Sequence, residues 1–208
     1  VGRHGFSWCV HDNVWGTNPT GTTVFERQPH ASTIKALLVN NTRQYPFAGA
    51  AHDLTRVHQG WGRPNARLAR ERAARSFVVD EATPLQVGQT ASYTIEVVCQ
   101  NGTGCGAVNG SRNTELRVTL AYPDPPGTTS ATLHRINDLS LRVVSPSGVV
   151  YHGNSGLLVA NYSAAGGRPN TIDTLENVIV PNAEVGSWQV EVRAAEINQD
   201  AYPSTPAA

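Results

Sequence analysis

The chain has 208 residues, which is enough for one ordinary domain and a smaller one, or for two small domains. Its 16 basic residues balance its 16 acidic residues, so it lacks the excess positive charge typical of proteins that bind nucleic acids or anionic membranes. Charged residues make up only 15% of the chain, and 19 Gly and 13 Pro favour a β-rich protein with many turns. We expect neither nucleic acid nor membrane among its partners, because the longest apolar runs are also too short to span a bilayer.

The first periodic segment is a predicted helix over residues 33–40. Apolar residues recur at Ile34, Leu37 and Leu38, which is the spacing of one helix face. Residues 29–32 supply the predicted start, because Ser or Thr can cap the exposed N–H groups of a helix start. We therefore expect an amphipathic helix that starts near Ser32 and buries one apolar side.

A second, arginine-rich helix is predicted over residues 65–75. A run of arginines is compatible with nucleic-acid binding, but Glu71 and several alanines are interleaved with them. Because the chain as a whole is neutral, we interpret the stretch as a solvated helix face.

From residue 76 onward the pattern becomes that of β-strands. Segments with alternating apolar residues or β-branched enrichment are separated by Gly and Pro turns such as residues 123–127 and 145–148. The predicted strands cover residues 76–80, 91–98, 114–121, 138–144, 149–151, 176–180 and 187–193. This number of short strands predicts a β-sandwich or jelly roll. Within the last strand, Trp188 alternates with Val190 and Val192, so we expect it in the core.

Cysteines and glycosylation sequons indicate whether the protein is secreted. Cys99 and Cys105 bracket a flexible loop, and a disulfide between them would indicate an oxidising, secretory environment. The alternative is two unrelated thiols, and Cys9 is left over in either case. The asparagines that carry an Asn-x-Ser/Thr sequon are Asn40, Asn101, Asn109 and Asn161. The sequons fit secretion only weakly, because such triplets also arise by chance in a chain rich in Asn, Ser and Thr.

Two sets of motifs, in this order, resemble the subtilisin-like serine proteases that carry a C-terminal β domain. The first set is Lys-Ala-Leu-Leu at residues 35–38 with Gln-Gly-Trp-Gly-Arg at residues 59–63. The second includes Asn-Asp-Leu at residues 137–139, Ser-Pro-Ser-Gly at 145–148 and Gly-Ser-Trp at 186–188. The resemblance implies a mainly β protein. Residues 1–75 would be the end of an α/β catalytic domain of subtilisin type, and residues 76–208 a β-sandwich or jelly-roll domain. Trp61 would be a packing anchor between the two.

The departures from the family concern catalysis. The family uses an Asp, a His and a Ser, the last within Gly-Thr-Ser, and no Gly-Thr-Ser occurs in this chain. In the family the catalytic Ser precedes the Lys-Ala-Leu-Leu helix, so the resemblance implies that the catalytic residues precede Val1 and that this chain carries none of them. The chain also contains no methionine, so we expect that Val1 is not a translational start. We discount a thiol site of Cys9 with His4 or His11, because nearness in sequence gives no geometry. We also discount a metal site on those histidines, because no second pair of ligands follows at the required spacing.

The resemblance therefore implies a secreted supporting part rather than a complete enzyme. The expected partner is the N-terminal catalytic half of the same protease as a separate chain, through which protein substrates would be bound. The alternative is a non-catalytic binding or structural module derived from a protease.

Some proteases of this family are stabilised by calcium, and loops of the predicted β domain contain suitable oxygen ligands. The candidate ligands are Asp124, Asn137, Asp138 and Glu176, with Asp173 and Asn177 nearby in sequence. The alternative is that these side chains cap turns through hydrogen bonds to backbone N–H groups. Ser140 weakens the calcium interpretation, because many relatives have an aspartate at that position.

Overall fold

The computed structural model describes residues 30–44, 56–79, 84–98 and 115–201. The chain divides into two compact units between Pro84 and Leu85. The first unit contains the short helices and the second contains the longer strands.

The first unit alternates helices with very short strands. Its elements are α1 (Ala31–Asn40), β1 (Thr42–Arg43), α2 (Arg56–Gln59), β2 (Arg63–Pro64) and α3 (Ala66–Arg72), with a 3-10 turn at Ala73–Arg75. Both predicted helices are confirmed, because α1 covers residues 33–40 and α3 with its 3-10 turn covers residues 66–75.

Helix α1 starts at Ala31, which lies within the start predicted at residues 29–32, but its N-cap residue is not the predicted Ser or Thr. The N-cap position is His30, whose side chain makes no capping hydrogen bond, and Ser32 is buried within the first turn. The buried face of α1 consists of Ser32, Thr33 and Leu37. At the end of the helix, Asn41 Nδ2 donates to the Leu37 carbonyl at 3.0 Å and so satisfies one of the last carbonyl groups.

Strands β1 and β2 pair antiparallel and join the two helices. Thr42 lies opposite Pro64. Helix α3 follows at once, and Asn65 Oδ1 accepts the Leu68 N–H at 3.0 Å, which is an N-cap bond. Helices α1 and α3 contact each other, and the buried residues of α3 are Leu68 and Ala69.

The strand predicted over residues 76–80 is wrong where the structure describes it. Residues 76–79 belong to no helix or strand, and Asp80 lies outside the described residues. Phe77 is 61% exposed and Val79 is 47% exposed. The prediction depended on the aromatic and β-branched composition of this segment, and that composition favours a strand only where other elements pack against it.

The second unit is built from antiparallel strands, which confirms the mainly β class. The strands are β3 (Thr90–Val97), β4 (Leu116–Ala121), β5 (Asp138–Val144), β6 (Val150–His152), β7 (Leu175–Val180) and β8 (Gly186–Glu196). One sheet has the order β3-β8-β5-β6, and a second pairs β4 with β7. All six overlap predicted segments.

Both sheets contribute side chains to a single core. The buried members of this core are Leu141, Val143, Val178, Val180, Ala183, Trp188 and Val190. Trp188 is 1% exposed, which confirms its predicted core position, and its Nε1 donates to the Glu184 carbonyl at 2.9 Å. The Tyr151 ring stacks near it with a centroid distance of 6.1 Å.

Candidate functional site

The loop between β4 and β5 is closed by the carboxylate of Asp124. Its two oxygens accept the N–H groups of Ile136 and Asn137, each at 2.8 Å. A carboxylate that receives two backbone N–H groups holds the ends of a loop together without any metal ion. For Asp124, this is the turn-capping arrangement that the sequence left as an alternative.

Asn137 is also engaged by backbone groups. Its side-chain oxygen accepts the N–H groups of Asn198 at 2.9 Å and Gln199 at 3.2 Å, and its Nδ2 donates to the Gln199 carbonyl at 2.8 Å. The side chain is 5% exposed. Asn137 therefore ties the start of β5 to the segment that follows β8.

Asp138, the first residue of β5, is 3% exposed and lies in a charged cluster. Its Oδ2 is 3.7 Å from Nη2 of Arg135, and its Oδ1 accepts the Ser140 hydroxyl at 3.4 Å. Burial raises the pKa of Asp138, while the Arg135 charge opposes that rise. The other arm of the Arg135 guanidinium pairs with Glu196 at 3.0 Å.

Glu176 on β7 is the most deeply buried carboxyl group among the described residues, with no exposed surface. Its Oε2 accepts the Leu141 N–H at 2.8 Å, but its Oε1 has no hydrogen-bond partner. Burial raises the pKa of Glu176 to about 8, and the charges of Asp138 and Asp173 add to the rise. The side chain is therefore largely protonated at neutral pH.

Asn154 organises the loop after β6 and was not among the predicted site residues. It has a positive φ of 62°, in the left-handed region that asparagine tolerates better than most residues. Its Nδ2 donates to Asp173 at 2.9 Å and to the Leu175 carbonyl at 2.9 Å, and its Oδ1 accepts the Asn177 N–H at 2.8 Å. Asn170 donates a second bond to the same Asp173 oxygen at 2.7 Å. The local signal for this role is the triplet Gly-Asn-Ser at residues 153–155, a typical turn sequence.

The predicted calcium ligands are thus placed in different surroundings. The side-chain oxygens of Asp124 and Asn137 receive backbone N–H groups, whereas Glu176 keeps one unpaired oxygen. Among the residues that the structure describes, no group of three or more His, Cys, Asp or Glu side chains is arranged to hold a metal ion. Calcium binding stays a prediction, and Glu176 is the candidate whose geometry leaves an oxygen available.

The structure describes only some of the remaining predicted sites. Asn40, at the end of α1, and Asn161, after β6, are both half-buried. Glycosylation at either stays a prediction. The predicted sites outside the described residues are Cys9, Cys99, Cys105, Asn101 and Asn109.

Trp61 lies in a turn between α2 and β2. The Arg56 guanidinium lies over its ring, 4.7 Å from the centroid, which is a cation–π contact within the first unit. The predicted role of Trp61 between two domains stays a prediction.

No helix in the described ranges combines the length and the apolar character needed to cross a membrane. Neither a protein-family model nor a curated protein sequence matches this chain.

Proposed function

We propose that this chain is the C-terminal part of a secreted subtilisin-like serine endopeptidase that stabilises a catalytic half carried by another polypeptide segment. The observation that supports it most is how few apolar side chains are buried in the described part of the first unit. Within its described residues, the apolar side chains that are buried are only Leu37, Leu68 and Ala69. A unit that buries little apolar surface gains stability when it packs against a larger body.

The composition of α1 fits a helix that docks against a larger body. Ile34 and Leu38 are half-buried on α1, whereas Lys35 is exposed. A catalytic domain packed on that side would remove the remaining apolar surface from water, at roughly 25 cal/mol per Å². The unit would then act as a mechanical support and take no part in bond cleavage.

The second unit would be the accompanying jelly-roll or β-sandwich domain. Two antiparallel sheets that share one core are compatible with either architecture. Secretion belongs to the same proposal, and its support comes from the sequons and from the spacing of the cysteine pair.

The test of this function is to label natural material with a serine-directed fluorophosphonate and then to measure the intact masses of the labelled polypeptides. We expect the reagent to label a co-purifying polypeptide that contains Gly-Thr-Ser and to leave this chain unlabelled. Label on this chain would overturn the division of roles, because catalysis would then reside in it.

A pair of substitutions on α1 tests docking directly. Leu38→Asp places a charge on the half-buried apolar side, and Lys35→Asp places the same charge on an exposed position of the same helix. We expect Leu38→Asp to abolish co-purification and Lys35→Asp to preserve it. Equal co-purification of the two variants would contradict docking through the half-buried apolar side of α1.

A non-catalytic binding module is the second candidate. One observation favours it: the loop after β6 exposes Leu158, Val159 and Tyr162 by 58%, 84% and 46%. Exposed apolar side chains on a folded domain are compatible with a contact surface. A well-folded monomer that purifies without any protease segment would favour this candidate over the first.

A further inference from the structure

The last helical element described in the first unit ends in an arginine that is followed by exposed chain. Helix α3 passes into the 3-10 turn Ala73–Arg75, and residues 76–79 then belong to no helix or strand. Arg75 and Ser76 are both exposed, and Phe77 is 61% exposed. The peptide bond between Arg75 and Ser76 is therefore flanked by accessible side chains.

The turn that precedes this bond is held by local hydrogen bonds. The Ser76 N–H donates to the Ala73 carbonyl at 3.2 Å, and the Ser76 hydroxyl donates to the Arg72 carbonyl at 2.9 Å. Both hydrogen bonds open when one turn unwinds, and the ends of helices open at a low cost in free energy. The buried residues of α3, Leu68 and Ala69, lie before this turn. A protease can therefore bind the chain around Ser76 in extended form while the buried part of α3 stays folded.

The other lysine and arginine residues in the described ranges are less suitable for cleavage. Apart from Arg135 and Arg168, all of them lie within a helix or a strand. The side chain of Arg135 is only 6% exposed. Arg168 is exposed but is followed by Pro169, which resists cleavage because proline fixes the backbone and has no N–H. Within the described part of the chain, Arg75 thus combines an exposed arginine with exposed irregular chain after it, the kind of segment that proteases cut most readily.

We propose that the bond between Arg75 and Ser76 is a processing site for an endoproteinase whose primary specificity pocket is acidic. Arginine fits such a pocket because its planar guanidinium forms paired, charge-assisted hydrogen bonds with a carboxylate. Hydrolysis adds one water molecule across the amide bond, so that Arg75 gains a carboxylate and Ser76 gains a free α-amino group. The product that begins at Ser76 contains the whole second unit, which starts at Leu85. The processing site does not depend on the proposed function of the chain, because another protein cleaves it.

The test is limited digestion of the full chain under native conditions with trypsin, which cleaves after arginine and lysine. New amino termini are identified and quantified by mass spectrometry at early times of digestion. We expect the terminus at Ser76 to appear about tenfold faster than a terminus after any other described arginine or lysine. The physical reason is that opening a strand or the middle of a helix costs more free energy than opening one turn at a helix end.

Arg75→Gln should abolish the terminus at Ser76, because glutamine carries no charge for the acidic pocket. Arg70→Gln is the matched control, since Arg70 lies in α3 of the same arginine-rich stretch, and it should leave the rate of cleavage after Arg75 unchanged. The proposed site is overturned if another described arginine or lysine is cleaved as fast as Arg75. It is also overturned if Arg70→Gln slows the appearance of the Ser76 terminus as much as Arg75→Gln does.

Natural material shows whether the bond is cleaved in the organism. We expect intact-mass measurement and N-terminal sequencing to find a polypeptide that begins at Ser76. Natural material in which every chain continues uncut from Arg75 to Ser76 would overturn the processing role, even if trypsin cleaves the bond.

Discussion

The carboxyl group of Glu176 takes the place of a strand partner for Leu141. Gly153 donates its N–H to the Leu141 carbonyl at 2.9 Å, next to the last residue pair of the β5–β6 ladder, Arg142 with His152. The Leu141 N–H, however, donates to Glu176 Oε2 at 2.8 Å rather than to a backbone carbonyl. An acidic side chain from the second sheet therefore satisfies a backbone group of the first sheet, deep in the core.

This arrangement predicts a pH-dependent stability. Burial is the largest cause that raises the pKa of Glu176, from 4.5 to about 8. Between these two values the folded protein holds a proton that the unfolded chain releases. The Glu176 contribution to the free energy of unfolding is therefore fully present below pH 4.5 and is lost as pH rises towards 8, by up to about 1.4 kcal/mol per pH unit. Urea denaturation across that range measures it.

Glu176→Gln tests the assignment, because glutamine keeps the shape of the side chain and does not ionise. We expect its free energy of unfolding to lose this downward slope, while Glu96→Gln, a change at an exposed position on β3, keeps it. A slope in Glu176→Gln equal to that of the wild type would assign the pH dependence to other groups.

Gly153 makes room for the buried carboxyl group. A Cβ on Gly153 would lie 2.7 Å from Glu176 Cβ and 2.8 Å from its carboxyl carbon. Gly153→Ala should therefore destabilise the chain by about 1–3 kcal/mol through overpacking, measured by urea denaturation. The effect should be smaller in a Glu176→Ala background, where the carboxyl group is gone and only Cβ stays close. Additive effects of the two substitutions would show that the contact is not the cause.

Asp124 is expected to matter for stability through its hydrogen bonds. Asp124→Asn replaces one acceptor oxygen with an NH₂ group that faces a backbone N–H of Ile136 or Asn137. We expect a loss of about 1–3 kcal/mol in the free energy of unfolding, the usual result of leaving a partly buried donor unsatisfied. Ser130→Ala changes an exposed residue of the same loop and serves as the control. Equal stability of Asp124→Asn and the wild type would contradict the loop-closing role.

The sequence predicted those elements whose pattern is local. The apolar spacing at Leu37 identified α1, and alternation around Trp188 placed that side chain in the core. The segment at residues 76–79 contains aromatic and β-branched residues, of which Phe77 and Val79 are exposed, and it forms no strand. Such a composition indicates a strand only where another element covers one face.

The environment of Glu176 was not predictable from its neighbours in sequence. The sequence makes it a candidate calcium ligand, because its carboxylate lies near other oxygen-bearing side chains at the start of a predicted strand. Its burial comes from Leu141 and Gly153, which lie far away in the chain. Asn154 was missed for the same reason: its partners Asp173, Leu175 and Asn177 are brought to it only by the tertiary fold.

Calcium binding at Glu176 and a neutral, buried Glu176 predict different effects of calcium on Tm, so one experiment separates the two. If calcium uses the unpaired Oε1, then calcium should raise Tm at pH 7 and EDTA should lower it, because a ligand that binds only the folded state stabilises it. Glu176→Gln should then remove most of the calcium-dependent shift, and Glu96→Gln should keep it. If Glu176 is instead a neutral acid held by Leu141, wild-type Tm will be the same with calcium and with EDTA. Differential scanning calorimetry of the three proteins, with calcium and with EDTA, decides between calcium binding and a neutral Glu176. Magnesium at the same concentration as calcium is the control for ionic strength.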